Sequence, residues 1–388
     1  MRAAANPSAT DHVGSPVVDA TPGSGIASTK GKDARHTMNS GGEEATAQEG
    51  VHDGETALRA LADYLAEDMK ACNREIVARM QSEVPLIPQL AAHLVAAGGK
   101  RLRPLLVLAA ARLAGYDVQG DDMRHVGVAA CVEFIHTATL LHDDVVDNSQ
   151  LRRGLASANA VFGNKASVLV GDFLFARAFQ ILTADGSLPV MAILSAASAT
   201  LAEGEVMQMT TQNDLSTTVD RYLQVIYGKT AALFAAACET GAVVAGADEH
   251  TRAALRDYGA NLGMAFQLVD DALDYAADQA VLGKTVGDDF REGKVTLPVL
   301  AAYHAGNEEE RAFWVKTIED NESQVDADLD RALDLIAKTD AIGVTMARAR
   351  DYAEKACQAL EGAHISSGDD KLAGLLVAVA RYTAVRSR

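Results

Sequence analysis

The amino-acid sequence predicts an all-α fold, and three observations support this prediction. From Thr56 onward, apolar residues recur at three- and four-residue spacing, as in Leu58, Leu61, Leu65 and Met69. Strand-like alternation of apolar and polar residues is absent. Ala, Leu and Val dominate a composition that is 48% hydrophobic and only 5% aromatic, which favours helices over sheets.

Prolines and apolar segments place the predicted helices. Only five prolines follow Thr56, and they separate the helical segments: Pro85, Pro88, Pro104, Pro189 and Pro298. The most apolar segments are expected to be the central helices, near residues 121–147, 156–183, 187–212, 216–241 and 248–278. Residues 54–388 are long enough for one large helical bundle, and we predict a single all-α domain.

The first 53 residues differ in composition from the remainder. They contain no Phe, Trp or Tyr, and three prolines lie among many Gly, Ser, Thr and Ala residues. Such a segment buries too little apolar area to offset the entropy lost on ordering. We predict that residues 1–53 form a disordered N-terminal tail, and a partner-binding arm is the alternative.

Charge and cysteine content restrict the partners and the compartment. The net charge of −18 disfavours nucleic acid, and it also repels a diphosphate unless local cations or metal ions reverse the field. The four cysteines are scattered without a CxxC pair, which indicates neither a zinc site nor disulfides and fits a reducing cytoplasm. We saw no apolar run that predicts a transmembrane segment, and the N-terminus lacks a secretory signal.

Two aspartate clusters of the form DDxxD are the main chemical signal. Asp143 and Asp147 share one helix face, as do Asp270 and Asp274, because residues four apart are neighbours on a helix. Each cluster ends an apolar helix, where like charges repel and acids oppose the helix dipole. Hard divalent cations would offset this cost, and Mg²⁺ is typically held by one or two carboxylates plus substrate phosphates. A solvated acidic face is the alternative for one cluster, and the second copy argues against it.

Basic residues concentrate near these clusters. Lys100, Arg101 and Arg103 follow Gly98-Gly99, and Arg152-Arg153 lies one loop after the first cluster. Gly228-Lys229-Thr230 and Gly283-Lys284-Thr285 place a lysine and a hydroxyl beside glycine. Arginine and lysine bind phosphate oxygens, so the pattern predicts a diphosphate site. A P-loop is rejected, because the spaced glycine and the preceding strand are missing.

Three of these motifs together resemble the trans-isoprenyl diphosphate synthases. They are GGKRLRP at 98–104, LLHDDVVD with RRG at 140–154, and FQLVDDALD at 266–274, in the family's order and spacing over about residues 56–388. The closest similarity is to bacterial long-chain polyprenyl diphosphate synthases of the octaprenyl to decaprenyl type. The resemblance implies an isoprenoid-synthase helical bundle around a central apolar cavity. It also implies a homodimer, isopentenyl and allylic diphosphates as substrates, and peripheral membrane contact for product release.

The resemblance also assigns roles to single residues. It implies isopentenyl diphosphate binding by Lys100, Arg103, His136 and Arg153. It implies allylic diphosphate binding by Arg152, Lys229, Thr230, Gln267 and Lys284. It implies that about three magnesium ions are bound by Asp143, Asp144, Asp147, Asp270, Asp271 and Asp274. The residues expected to carry the chemistry are Asp143, Asp147, Lys229, Asp270 and Lys284, and Lys294 is a further cation.

Product length is expected to depend on the helix that leads into Asp143. Ala138 and Thr139 lie one turn before Asp143, and both are too small to close a cavity there. Phe134 and Ile135, one turn further back, are the next candidates for the cavity floor. Since each turn adds about 5.4 Å of depth, a floor set further back admits additional isoprene units, so a long product is expected. The resemblance likewise implies a product of about eight to ten units, for a quinone side chain.

Several alternatives are less well supported. A class I terpene cyclase would carry an Asn/Ser/Glu second metal motif, and it would need no isopentenyl site. A hydrolase built on His142 and Asp143 would need further metal-binding histidines. A catalytically silent regulatory subunit or scaffold would have lost an aspartate or an arginine of the motifs. A shorter-chain synthase of the geranylgeranyl type stays open.

Overall fold

The computed structural model describes residues 56–96, 99–117, 122–152, 154–276, 286–362 and 369–386. Within these ranges the chain is helical almost throughout, which confirms the predicted all-α fold. The predicted N-terminal tail, residues 1–53, lies outside the described residues, so it remains a prediction.

The helices follow one another with short connections. We number the N-terminal part as α1 (56–64), α2 (Ala66–Arg79), α3 (Leu86–Ala96), α4 (Leu102–Leu113), α5 (Arg124–Val146), α6 (Ala158–Phe162), α7 (Asn164–Asp185), α8 (Leu188–Thr211), α9 (Val219–Ile226), α10 (Ala232–Val244) and α11 (Glu249–Ala276). The C-terminal part contains α12 (Asp288–Arg291), α13 (Leu297–Ala305), α14 (Glu308–Trp314), α15 (Asp326–Lys338), α16 (Ala341–Gly362) and α17 (Asp370–Thr383).

Helix α10 lies at the centre of the bundle. It packs against α4, α8 and α11, while α5 packs against α7 and α4. Close approach depends on small residues: a Cβ added to Gly241 would lie 2.4 Å from the carbonyl oxygen of Val107 on α4. Leu106, Phe134 and Phe234 are fully buried in this core. The dense packing fixes the two helices that end in the aspartate motifs.

A second apolar core supports the C-terminal half of α11. Here α11 packs along α16, and α13 contacts α15 and α16. Trp314, Phe290 and Leu268 are buried in this cluster, with the Phe290 and Trp314 rings edge to face at 6.2 Å. The second aspartate motif is therefore carried by a long helix that is held along most of its length.

Three local features differ from the helical prediction. A two-residue antiparallel hairpin, β1 (Leu151–Arg152) and β2 (Leu155–Ala156), follows α5, whereas no strand was expected. The segment predicted as one helix over 156–183 breaks at Gly163, where φ is +83°, a value that favours glycine. The segment predicted over 216–241 contains a π-helical turn, Tyr227–Ala231. Both breaks lie close to predicted site residues.

Helices α7 and α8 are long and apolar enough to cross a membrane, by length and composition alone. The sequence analysis did not anticipate this result. A core helix of a soluble protein passes the same test, and in this structure α7 packs against α5 while α8 packs against α10. Less than half of either apolar window is buried, so both helices present apolar side chains on the surface.

Candidate active site

The first aspartate motif lies at the C-terminal end of α5, as predicted. Asp147 is the C-cap residue, its backbone N–H donates to the carbonyl of Asp143 at 2.8 Å, and no basic residue lies in the last turn. Burial and the nearby carboxylate of Glu205 raise the pKa of Asp143 to about 7. The clustered negative charge is therefore poorly compensated by the protein itself.

The second motif ends α11 in the same way. The carboxylate of Asp274 accepts a hydrogen bond from the backbone N–H of Asp289 at 3.1 Å. Burial and the carboxylate of Asp289 raise the pKa of Asp274 to about 8. Asp289 is thus an additional acid in the site, carried by α12.

The second aspartate of each motif is bound by protein donors. The guanidinium of Arg152 contacts the carboxylate of Asp144 through Nε and Nη2, the latter at 2.6 Å, and Asp144 is 1% exposed. Asp271 accepts hydrogen bonds from the Tyr222 hydroxyl at 2.5 Å and from Gln267 Nε2 at 2.8 Å. The predicted metal role of Asp144 and Asp271 stays a prediction, and in this structure both anchor neighbouring side chains.

Lys294 lies between Asp147 of the first motif and Asp289, which contacts Asp274 of the second. Lys294 Nζ lies 3.9 Å from a carboxylate oxygen of Asp147 and 3.7 Å from one of Asp289. Burial alone would lower the pKa of Lys294, but the surrounding carboxylates of Asp289, Glu292 and Asp147 raise it. Lys294 lines a cavity of about 80 Å³ together with Lys229, Gln267 and Asp271.

The residues predicted around the allylic diphosphate form a connected chain. The hydroxyl of Thr230 donates to Gln267 Oε1 at 2.6 Å, and Gln267 holds Asp271. Lys229 Nζ pairs with Glu205 at 3.0 Å. The π-helical turn that carries Lys229 approaches α8 closely, since a Cβ on Gly204 would lie 2.6 Å from the backbone nitrogen of Lys229. This contact places the Lys229 side chain at the cleft.

The residues predicted for isopentenyl diphosphate meet between α4 and α5. Arg103 Nη1 lies 3.0 Å from His136 Nε2, and its guanidinium lies over the Phe234 ring at 4.6 Å. Lys100 is exposed at the start of this segment. Arg101 adopts a left-handed backbone conformation with φ of +48°, and its side chain pairs with buried Glu133 at 2.6 Å. Arg101 therefore anchors the segment.

The remaining predicted residues divide into two groups. Arg153 and Lys284 lie outside the described residues, so their roles remain predictions. Of the chain-length residues, Ile135 lines a small cavity with residues of α7 and α8. Phe134 and Ala138 are fully buried in the core, and the Thr139 hydroxyl donates to the carbonyl of His136 at 2.8 Å.

Sequence reasoning missed residues of the site that lie far from their partners along the chain, and Glu205 and Tyr222 are two examples. Glu205 on α8 pairs with Lys229, and Tyr222 on α9 holds Asp271. Neither lies within a motif, and 24 and 49 positions respectively separate them from their partners along the chain. Only the packing of α8 and α9 against the central helices reveals them.

Mg²⁺ fits the chemistry of the donors in this cleft. Within the described part of the chain, no three His, Cys, Asp or Glu side chains converge closely enough to hold a metal ion by themselves. Mg²⁺ does not need such a cage, because it takes one or two carboxylates and completes its shell with water and phosphate oxygens. The raised pKa values of Asp143 and Asp274 indicate a site short of positive charge, which divalent cations would supply.

An all-α bundle with two DDxxD motifs and intervening cations defines an isoprenyl diphosphate synthase type of site, and the comparisons agree. The polyprenyl synthetase family model matches residues 84–336. The chain is 47% identical over 304 residues to octaprenyl diphosphate synthase of Escherichia coli, covering 78% of this chain and 92% of the relative. This protein therefore belongs to the polyprenyl synthetase family, which confirms the predicted family and the prediction of a prenyltransferase.

Solved structures support the same assignment. A decaprenyl diphosphate synthase from Rhodobacter capsulatus is 52% identical, with a TM-score of 0.80, covering 85% of this chain and 99% of the other. A polyprenyl synthase from Caulobacter crescentus CB15, complexed with calcium and isoprenyl diphosphate, is 50% identical, also with a TM-score of 0.80, covering 85% of this chain and 98% of the other.

Proposed function

We propose that this protein is a polyprenyl diphosphate synthase that condenses isopentenyl diphosphate head-to-tail (1′–4) onto an allylic diphosphate such as farnesyl diphosphate. The product is a long all-trans polyprenyl diphosphate of about eight to ten units, and it supplies a quinone side chain. The observation that carries the proposal is the pair of DDxxD motifs, each near the end of a long helix. Lys294 lies beside Asp147 of the first motif and beside Asp289, whose backbone N–H donates to Asp274 of the second. The octaprenyl and decaprenyl relatives support the long product.

The two diphosphates bind in different parts of the site under this proposal. Arg103, with His136 beside it, binds isopentenyl diphosphate at the α4–α5 contact, together with Lys100 and Arg153. Lys229 and Thr230, with Gln267, bind the allylic diphosphate at the cleft, together with Arg152 and Lys284. Arg152 is paired with Asp144 in this structure, so binding the allylic diphosphate requires it to share its donors.

The metal-binding role falls on the carboxylates of the two motifs. Asp143, Asp147 and Asp270 are the proposed Mg²⁺ ligands, with Asp144, Asp271 and Asp274 completing the set, and about three ions would balance the converging carboxylates and diphosphates. When bound, Mg²⁺ stabilises the negative charge that develops on the departing diphosphate. The calcium in the Caulobacter crescentus relative's structure supports a divalent-cation site in this family.

The side chains of this protein account for the rest of the chemistry. Lys229 donates to the leaving diphosphate as the allylic carbon–oxygen bond breaks and the diphosphate takes the electron pair. Buried apolar walls exclude water from the resulting carbocation. The double bond of isopentenyl diphosphate then forms the new carbon–carbon bond, and the released diphosphate accepts the proton that is lost.

Two pairs of variants test the proposal. Purified protein is incubated with farnesyl and isopentenyl diphosphates and Mg²⁺, and the extracted products are sized. Asp143→Ala and Asp270→Ala should abolish condensation while circular dichroism stays helical. Near-wild-type turnover in both would refute the assignment.

The second pair separates the two substrates. Arg103→Ala should raise the KM for isopentenyl diphosphate, and Lys229→Ala should raise that for the allylic diphosphate or lower kcat. The loss of one charge-assisted hydrogen bond costs roughly 1.5–3 kcal/mol, or about one to two decades in affinity. Equal effects of both variants on both substrates would contradict the division into two pockets.

We also propose a homodimer that covers the surface of α7 and α8. Leu169, Leu188, Val206 and Met209 on these helices are between 61% and 75% exposed, an unusual density of apolar side chains. Leu169→Glu should therefore shift the protein towards monomer in sedimentation velocity. Val325→Glu is the matched control, because Val325 is also exposed but lies far from α7 and α8 in the sequence.

A cytoplasmic location with peripheral membrane contact completes the proposal. All four cysteines are free and buried, which suits a reducing compartment. The product is long and apolar, so release into a bilayer surface is expected. Co-sedimentation with phospholipid vesicles, with and without bound product, tests this contact, and no binding in either state would contradict it.

A further inference from the structure

The C-terminal end of the chain returns to the second aspartate motif. After α17, Arg386 reaches α11, where its Nη2 donates to Asp270 Oδ1 at 2.6 Å and to the carbonyl of Phe266 at 2.9 Å. Its guanidinium also lies over the Phe266 ring at 3.9 Å from the centroid. A residue 116 positions away from Asp270 therefore contacts one of the predicted metal ligands directly.

Arg386 is the buried member of this ion pair. Its side chain is only 8% exposed, whereas that of Asp270 is 41% exposed. The buried Nε of Arg386 has no hydrogen-bond partner among the described atoms, so the guanidinium is held by Phe266 and by its Nη2 contacts. A covered cation that is fixed by stacking can restrict a partly exposed carboxylate to one orientation.

The same stacking reaches the predicted isopentenyl pocket. The centroid of the Phe266 ring lies 5.5 Å from that of the Phe234 ring. The guanidinium of Arg103 lies over the Phe234 ring, 4.6 Å from its centroid. The order in space is Arg103, Phe234, Phe266 and Arg386. Arg386 is therefore linked through two stacked rings to Arg103 of the proposed isopentenyl pocket.

We propose that Arg386 is a positioning residue for metal binding at Asp270. It binds Oδ1 of Asp270, which is partly exposed, and so holds the carboxylate in one orientation with its second oxygen available to a metal ion. Partners of metal ligands typically contribute 10–100-fold to metal affinity or activity, because they orient the ligand before the ion arrives. The proposal rests on the function proposed above, since it takes Asp270 to be a metal ligand.

Direct binding of substrate by Arg386 is the competing role. In this structure one face of the guanidinium is covered by Phe266, and Nη2 is already shared between two acceptors. A substrate role would require the side chain to leave both contacts. The two roles differ in which measured quantity changes, so one set of variants separates them.

The test compares Arg386→Gln and Arg386→Lys with Arg381→Gln. Arg381 is an exposed residue of α17, so its variant makes the same charge change without contacting Asp270. Calorimetry measures Mn²⁺ binding to the full-length protein in the presence of inorganic pyrophosphate, and steady-state kinetics give kcat and each KM. Thermal unfolding without metal shows whether each variant is folded.

We expect Arg386→Gln to weaken Mn²⁺ binding about tenfold or more and to lower kcat, with the KM for isopentenyl diphosphate unchanged within about twofold. Arg386→Lys should recover part of the affinity, because it keeps the charge without the planar fork. In an Asp270→Asn background, Arg386→Gln should have no further effect on Mn²⁺ binding, since Arg386 acts through Asp270.

Three outcomes would overturn the positioning role. Unchanged or tighter Mn²⁺ binding in Arg386→Gln would do so, as would an equal loss in Arg381→Gln. An increase in the KM for isopentenyl diphosphate with unchanged Mn²⁺ affinity would make Arg386 a substrate ligand instead. If the wild-type protein binds Mn²⁺ with pyrophosphate but forms no polyprenyl product, the proposed function fails, and the binding comparison still decides the role of Arg386.

Discussion

The depth of the product channel can be tested on one face of α5. Asp143, Thr139 and Ile135 are spaced by four residues, so they lie along the same side of the helix. Thr139 is half-buried, and Ile135 lines a small cavity with Phe175 and Phe179 of α7. A prenyl chain that grows away from Asp143 along this face would pass Thr139 and reach that cavity.

The helix geometry sets the size of the expected effect. Thr139 is about 6 Å and Ile135 about 12 Å from Asp143 along the axis, at about 1.5 Å per residue. An extended isoprene repeat is about 5 Å long, close to the rise of one helix turn. Thr139→Phe should therefore stop elongation well short of the natural product, and Ile135→Phe should stop it about one isoprene unit later.

Ala138→Phe is the informative comparison. Ala138 was grouped with Thr139 as too small to close the channel, and Phe134 with Ile135 as a candidate floor, yet Ala138 and Phe134 are fully buried in the core. A larger side chain at Ala138 would overpack the core and lower the free energy of unfolding by about 1–3 kcal/mol. We expect Ala138→Phe mainly to lower the melting temperature, and Thr139→Phe to shorten the product.

The assay extends geranyl or farnesyl diphosphate with labelled isopentenyl diphosphate and sizes the dephosphorylated products by chromatography. Turnover on at least one primer must survive for the result to count. Product lengths that stay at the wild-type value in both Thr139→Phe and Ile135→Phe would refute the channel along this face. Shortening by Ala138→Phe alone would place the channel on the other side of the helix.

Three further predictions concern charge and the chain terminus. Burial raises the pKa of Asp143 to about 7 and that of Asp274 to about 8. Between about pH 4 and pH 8 the folded protein therefore keeps protons that the unfolded chain has lost, and the free energy of unfolding falls as the pH rises through this range. Metal-free protein should thus melt at a higher temperature at pH 6 than at pH 8, by on the order of 2–4 °C, and Asp143→Asn should reduce the difference; an opposite slope would contradict the cause. Asp144→Asn removes the charged partner of Arg152 and should lower the free energy of unfolding, measured with denaturant, by about 1.5–3 kcal/mol. An unchanged unfolding midpoint would show that this ion pair is not needed for stability. Deletion of residues 1–53 should leave activity and melting temperature nearly unchanged, and a large loss of either would show that this segment packs or binds.

Local sequence was sufficient for the fold class and for the motifs. Helical periodicity and five well-placed prolines predict most helices, because both act within a few residues. The spacing of DDxxD also decides that Asp143 and Asp147 share a helix face. Their position at the end of α5 was therefore predictable, and the structure confirms it.

Only the tertiary structure decided how these groups are distributed in space. The pairing of Asp144 with Arg152 depends on a hairpin that the sequence pattern did not predict. Glu205 contacts Lys229 only because Gly204 allows the π-helical turn to approach α8 closely. Arg386 reaches Asp270 from 116 residues away. Such contacts depend on how helices pack over long separations, and a carboxylate's partners follow from that packing and not from its neighbours in sequence.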